Sequence, residues 1–204
     1  MTDTLEMMPL QTITPIDDRR YTVEQYHRLI EDGSLTTDDR VELLEGRLVK
    51  KMSKSTPHEY ALKKLIKMLT AMLPADWHMG GQSPITVGTS EPEPDISIVR
   101  GTEEDYLPRH PGPADIGLLV EVSASSLAID RFDKLRIYAR AGVPAYWVVN
   151  LVDRQVEVYT LPTGPVANPE YASRQTFTAG DSVPVVLDGN TLGQIAVSAV
   201  LPAA

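Results

Sequence analysis

The chain has 204 residues, 42% of them apolar and 23% charged, a balance that suits one folded domain and excludes a disordered or fibrous chain. It contains no cysteine, so disulfides, thiolate zinc sites, iron–sulfur clusters and cysteine nucleophiles are excluded. The net charge of −9, from 19 basic against 28 acidic residues, counts against a partner that is mostly phosphate.

Any metal must be held by carboxylates, carbonyls or the four histidines, a donor set that favours a hard cation such as magnesium or manganese. No apolar run reaches the roughly 18 residues of a membrane span. The first 20 residues lack the positive start and apolar stretch of a signal peptide. The expectation is a soluble cytoplasmic protein with no membrane partner. The charge is uneven: Lys50 to Lys67 holds six lysines and one acid, whereas Glu91 to Asp115 holds seven acids and two arginines. Charge runs of this kind are ordinarily solvated surface, but a basic patch beside an acidic one differs from a uniformly acidic coat.

Residues 1–20 are polar and aperiodic and read as a flexible N-terminal arm, leaving 21–204 as a single domain. Thr22-Val-Glu-Gln25 is a capping box that predicts a helix running to about Gly33. Val41 to Met52 predicts two strands turning at Glu45-Gly46, where glycine supplies the positive φ of a tight hairpin. Thr56-Pro57-His58-Glu59 combines a capping threonine, a first-turn proline and a capping-box acid. Leu62, Leu65, Ile66, Leu69, Met72 and Leu73 then form one apolar stripe, which His58 extends by four residues and from which Lys63, Lys64 and Lys67 are excluded. Pro84–Val87 and Asp95–Val99 are strand candidates. A proline- and acid-rich loop follows, then Gly117–Val122, a nearly continuous apolar run expected of a strand covered on both faces. Asp130 to Ala141, ended by Gly142, reads as a helix. Pro144–Asn150 and Arg154–Thr160 read as a hairpin, and the tail from Leu161 as two or three weaker strands. The whole predicts an α/β domain: a mixed central sheet flanked by helices, with additional hairpins.

The informative residues are acids inside apolar strands. Glu121 interrupts Leu118-Leu-Val-Glu-Val122, where an unpaired carboxylate costs several kcal/mol, on the order of an isolated buried ion. Asp95 follows Pro94 at the mouth of another strand, although aspartate is a poor strand former. One such acid is ordinarily a salt-bridge partner or a capped strand end. Two at the ends of neighbouring strands point to a shared cation. Lys134 lies in the helix after the Glu121 strand and is placed either to reach the space beside Glu121 or to form a surface pair with Asp130.

Taken in order, Glu42-Leu-Leu-Glu-Gly46, Ser55-Thr-Pro-His58, Pro94-Asp95-Ile-Ser-Ile-Val, Leu119-Val-Glu121-Val-Ser, Asp133-Lys134 and Tyr138-Ala-Arg-Ala-Gly-Val-Pro144-Ala-Tyr-Trp-Val-Val resemble a bacterial restriction-endonuclease-like family of the PD-(D/E)XK nuclease superfamily. The resemblance covers about Tyr21 to Leu192, and Gly-Val-Pro-Ala-Tyr-Trp is its most specific part. It implies a restriction-endonuclease-like fold and a Mg²⁺- or Mn²⁺-dependent endonuclease cutting DNA phosphodiesters. Asp95 and Glu121 would be its metal carboxylates and the Val122 carbonyl a further ligand. The superfamily's lysine normally lies two residues after the glutamate, where this chain has Ser123; Lys134 on the next helix takes its place. Glu42 and His58 match polar positions lining the same pocket. Glu42 would bind a second ion or orient the lysine, and His58 would contact a phosphate or be satisfied in the core. Lys50, Lys51 and Lys54 would approach a nucleic-acid backbone. Two other readings remain: a nuclease fold that binds nucleic acid or a protein partner without cutting, and a metal-dependent hydrolase of another phosphate ester. The superfamily's habit of pairing to address both strands, with Tyr146-Trp147 as candidate aromatic surface, adds a homodimer to the expectations.

Overall fold

The computed structural model describes Thr12 and residues 14–203. Most of the expected N-terminal arm, residues 1–11 and 13, lies outside them. Of the remainder, Thr12 hydrogen-bonds Asp133 through both its backbone N–H and its hydroxyl, and the Ile16 N–H donates to the Leu48 carbonyl.

Helix α1 (Val23–Glu31) begins in the expected capping box, Thr22 and Gln25 each satisfying the other's backbone N–H. Strands β1 (Val41–Leu44) and β2 (Arg47–Lys50) form an antiparallel hairpin whose last pair is Leu44 and Arg47. Its turn needs positive φ at both central residues, and Glu45 and Gly46 have φ of 47° and 74°. Glycine adopts this freely, but glutamate does so at a cost that the surroundings must offset. The buried Glu45 carboxylate is held by Arg136 and Arg140, and its N–H donates to the Ser90 hydroxyl.

Helix α2 (Thr56–Thr70) starts one residue away from expectation. Its cap is Ser55, whose hydroxyl accepts from the His58 N–H, and Thr56 is already helical. Its buried face comprises His58, Ala61, Leu62, Leu65 and Leu69, while Lys63, Lys64 and Lys67 are exposed. Two further corrections concern the following segment. Strand β3 (Trp77–Gly80) was not anticipated, because only Trp77 of its four residues is buried and no alternation marks it. Pro84–Val87 is not a strand: Val87 makes only an isolated bridge to Ser90, in a stretch where Pro84, Pro92 and Pro94 supply no N–H to a ladder.

Strand β4 (Ile96–Arg100) pairs antiparallel with β5 (Ile116–Ser123). The chain then crosses through α3 (Leu127–Ile129), a π-helical turn over Asp130–Lys134 and α4 (Leu135–Ala141), closed by Gly142 at φ 78°. This helix therefore starts earlier than its sequence pattern suggests and carries a widened turn. Strand β6 (Ala145–Asn150) returns parallel to β5, and β7 (Gln155–Pro162) and β8 (Tyr171–Thr178) continue antiparallel. The six-stranded sheet thus has the order β3-β4-β5-β6-β7-β8. A separate hairpin of β9 (Ser182–Leu187) and β10 (Asn190–Ala196) leads into α5 (Val197–Val200).

Side-chain alternation sorts the two faces of this mixed sheet. Ile96, Ile98, Leu118, Val120 and Val122 share a core with α2, α5 and the β9–β10 hairpin. Leu119, Tyr146, Val148 and Tyr159 share another with Ile137 and Tyr138 of α4. Successive strand residues face opposite sides, so Glu121 lies on the α4 side with Leu119. Tyr146 and Trp147 are both buried in these cores, which removes them as the aromatic dimer surface expected from the sequence.

Glu157 on β7 is fully buried and accepts from Arg131, Arg174, Asn150, Gln155 and Tyr159. Burial raises its pKa, but the hydrogen bonds led by Arg131 outweigh this and hold it at about 2. A carboxyl depressed on folding stabilises the native state above its unfolded pKa, and that contribution is lost as pH falls through the folded value. Urea unfolding from pH 6 to pH 2 should therefore show stability on the order of 3 kcal/mol that disappears between about pH 4.5 and 2. Glu157→Gln should flatten that segment of the profile.

Candidate active site

The β4–β5 register places Ile96 opposite Val120 and Ser97 opposite Leu119. Extending it by one residue sets Asp95 opposite Glu121, on the same face of the sheet. Because β4 ends there as a strand, the Val122 N–H has no ladder partner on that side and donates instead to Asp95 Oδ2 at 2.9 Å. His58, carried on the first turn of α2, reaches the same oxygen through Nε2 at 2.9 Å. Gln82, whose backbone is left-handed at φ 52°, donates to Asp95 Oδ1 at 3.3 Å.

Lys134 projects from the π-helical turn onto the α4 face of β5. Its Nζ lies 2.9 Å from Glu121 Oε1 and 3.5 Å from Glu42 Oε2. Tyr138, one turn further along the helix, donates its hydroxyl to Glu121 Oε1 at 3.0 Å. Glu42 arrives from the other side of the site on β1 and accepts the Glu93 N–H at 3.2 Å. Asp130 sits at the base with its carboxylate on the Ser123 hydroxyl at 2.7 Å.

The sequence-predicted residues Glu42, Lys50, Lys51, Lys54, His58, Asp95, Glu121, Val122 and Lys134 all line one pocket. Its inner wall is buried: Glu121 is 4% exposed and Lys134 6%. At the rim, Lys51 pairs with Glu93 at 2.5 Å, while Lys50 and Lys54 are exposed. The cavity volume, about 90 Å³, accommodates an ion with a few waters and is far below the several hundred Å³ of a cleft for a drug-sized ligand.

The sequence signals did not place Gln82 or Asp130 in this pocket, or Tyr138 behind it against Glu121. Asp130 and Tyr138 lie four residues before and after Lys134, so the helical period puts all three on one face; that spacing was the available signal. Gln82 gives none, because it sits in an irregular segment. The alternative of an exposed Asp130–Lys134 surface pair is corrected, since both residues are buried.

The electrostatics follow from counting. Four buried carboxylates, Glu42, Asp95, Glu121 and Asp130, surround one buried ammonium, Lys134. Burial pushes the Glu121 carboxyl well above its usual range, against the pull of Lys134 and with the repulsion of Asp130 and Asp95. Burial likewise raises Asp130. Burial also acts to raise Asp95, but the His58 hydrogen bond and charge and the Val122 N–H outweigh it and lower its pKa. Burial disfavours the Lys134 ammonium, yet Glu121 and Glu42 hold its pKa well above that of a free lysine. A surplus of hard oxygen donors over positive charge fits a divalent cation such as Mg²⁺ or Mn²⁺.

With this geometry in hand, comparison with known proteins identifies the fold and the family. The crystal structure described as a putative nuclease belonging to DUF820 from Anabaena variabilis superposes with a TM-score of 0.67, covering 88% of this chain and 96% of that one at 14% identity. The α/β domain therefore shares its fold with that protein. The family model Uma2, described as "Putative restriction endonuclease", matches residues 23–196, and the chain belongs to that family. No curated protein matches the sequence.

The charge surplus makes a testable statement about stability without metal. Glu121→Gln retains an acceptor for both Lys134 and Tyr138 and removes one negative charge, so in chelator it should unfold at an equal or higher temperature than wild type. Lys134→Met leaves four buried carboxylates without an ammonium and should lose about 3–5 kcal/mol at neutral pH. Thermal unfolding checks the first and chemical denaturation the second, both at pH 7 in chelator.

Proposed function

We propose that the chain is a metal-dependent endonuclease that hydrolyses DNA phosphodiester bonds at this pocket. The observation that carries the reading is the juxtaposition of Asp95 and Glu121, opposed across two neighbouring strands, with Lys134 against one of them. Family membership supports the reaction class. Asp95 and Glu121 would hold the ion. The Val122 carbonyl would join them, since in an extended strand it leaves the same edge as the N–H that meets Asp95. A divalent ion bound there supplies Lewis-acid chemistry, polarising a phosphoryl oxygen and lowering the pKa of a water.

The chain's own residues do the rest. Lys134 is held cationic at the pocket wall, where it can orient the attacking water or neutralise charge developing on the phosphoryl group. As the water oxygen bonds to phosphorus it gives up a proton to solvent, the bond to the leaving oxygen breaks, and that oxygen takes up a proton from solvent, so that one water is added across the broken bond. Glu42 positions Lys134 from the side opposite Glu121. His58 holds Asp95 in place from the N-terminus of α2, where helix N–H groups also favour an approaching phosphate. Exposed Lys50 and Lys54 at the rim give the backbone of a nucleic acid a basic approach within an otherwise acidic protein.

One observation favours a second reading, binding of nucleic acid without cutting. Asp95 and Glu121 already have hydrogen-bond donors in His58, the Val122 N–H, Lys134 and Tyr138, so each carboxylate is held in place without an ion.

Supercoiled plasmid and short oligonucleotides incubated in Mg²⁺ or Mn²⁺ separate the two. The endonuclease reading predicts nicked or linear product, abolished by Asp95→Asn and by Glu121→Gln. Lys134→Met should slow cleavage by about 100-fold or more while metal binding persists. Lys63→Met is the control and should leave cleavage unchanged, because that side chain is 77% exposed on the far side of α2. A wild-type chain that cuts neither substrate in either metal overturns the endonuclease reading in favour of binding alone.

A further inference from the structure

A second cluster of metal-ligating side chains lies apart from the pocket. His27 on α1, Glu91 in the segment that bridges to β1, and His110 in the loop between β4 and β5 each present one ligand atom, and these atoms all lie within 4.8 Å of one another. Three elements distant in sequence therefore converge on one point. We propose that His27, Glu91 and His110 form a binding site for zinc or a similar borderline transition-metal ion, a site that does not depend on the reading of the nuclease pocket.

Three features support it. First, Glu91 is only 1% exposed, and among the described residues no lysine or arginine neutralises it. Its partners are His27 Nε2, 2.7 Å from Oε2, and the Thr86 hydroxyl, 2.6 Å from Oε1. Thr86 thus occupies one carboxylate oxygen and orients the other toward the histidines, the arrangement by which outer-shell groups fix a metal-binding carboxylate. Second, the ring nitrogens of His110 make no hydrogen bond among the described residues. The ring nevertheless stands edge-on to His27, with centroids 5.8 Å apart at 76°. Its loop is held there by the Thr86 N–H donating to the Pro111 carbonyl at 2.9 Å. A simple His27–Glu91 pair would leave that third ligand without a role. Third, the His27 side chain is 40% exposed, so an ion has a path in and a water can complete four-coordination.

Two imidazoles and one carboxylate suit zinc, which takes nitrogen and oxygen ligands in tetrahedral sites with water in the fourth position. Imidazole-rich sites select zinc, copper or nickel, whereas the all-oxygen pocket selects magnesium or manganese. The two sites would thus sort different cations by donor chemistry. Bound zinc would clip α1 and the β4–β5 loop to the segment behind Glu42 and stabilise the folded chain by mass action.

The test uses the full chain carrying Asp95→Asn and Glu121→Gln, which silences the pocket. Zinc is titrated against a chromophoric chelator, and Co²⁺ is added separately as a spectroscopic probe. One equivalent of zinc should bind in the presence of excess Mg²⁺, and Co²⁺ should give the intense visible absorption of a four-coordinate site. His110→Ala, which removes a ring that makes no hydrogen bond among the described residues and so spares the fold, should weaken zinc binding by about 100-fold or more. His27→Ala should do the same, and both should abolish the zinc-dependent rise in unfolding temperature. Failure of the pocket-silenced chain to bind zinc would overturn the proposal, as would unchanged affinity in both histidine variants.

Discussion

The site is organised around a shortage of positive charge. One buried ammonium, Lys134, stands against the carboxylates of Glu42, Asp95, Glu121 and Asp130. Burying that many anions beside one cation is unfavourable unless each finds donors and the surplus charge finds a partner. The donors come from separate parts of the chain: His58 from α2, the Val122 N–H from β5, Tyr138 from the crossover helix and Ser123 from the end of β5. Much of the architecture can be traced to assembling them. The parallel β5–β6 connection brings the crossover helix back over the α4 face, the only face from which Lys134 and Tyr138 can meet Glu121.

Why the hairpin of β1 and β2 belongs to the site follows from the same constraint. Glu42 reaches Lys134 because the hairpin is fastened to the 89–91 segment by the Glu91 N–H on Leu43 and the Gly46 N–H on Thr89. The strained Glu45 at its turn is anchored to the crossover helix by Arg136 and Arg140. Lys134 and the two arginines thus lie on one helix and tie the hairpin to the sheet through two of its glutamates. Lys50 and Lys54, exposed at the rim, lie outside this buried network, whereas Lys51 between them pairs with Glu93.

Much of this was legible in the sequence where a residue violated its local context. Glu121 within an apolar run and Asp95 after a proline stood out because carboxylates are costly in strands. The capping box at Thr22, the Glu45-Gly46 turn and the leucine stripe of α2 are local signals, and the structure contains all three elements. What was missed depends on non-local geometry. Ser55, rather than Thr56, caps α2 because the two hydroxyls are chemically equivalent and only the backbone path chooses between them. Strand β3 exists because β4 offers it an edge, and Pro84–Val87 is not a strand because the surrounding prolines supply no donors. Tyr146 and Trp147 are core rather than surface because β6 is covered on both faces, which its composition alone could not distinguish from an aromatic patch.

The central claim is that Asp95, Glu121 and the Val122 carbonyl converge on a cation. The most direct measurement is a crystal structure of the wild-type chain soaked in Mn²⁺, with anomalous scattering used to locate the ion. The account predicts a manganese peak in the pocket within coordination distance of both carboxylates and of the Val122 carbonyl oxygen. A pocket with no anomalous peak at saturating Mn²⁺, or an ion bound without Asp95 and Glu121, would contradict it.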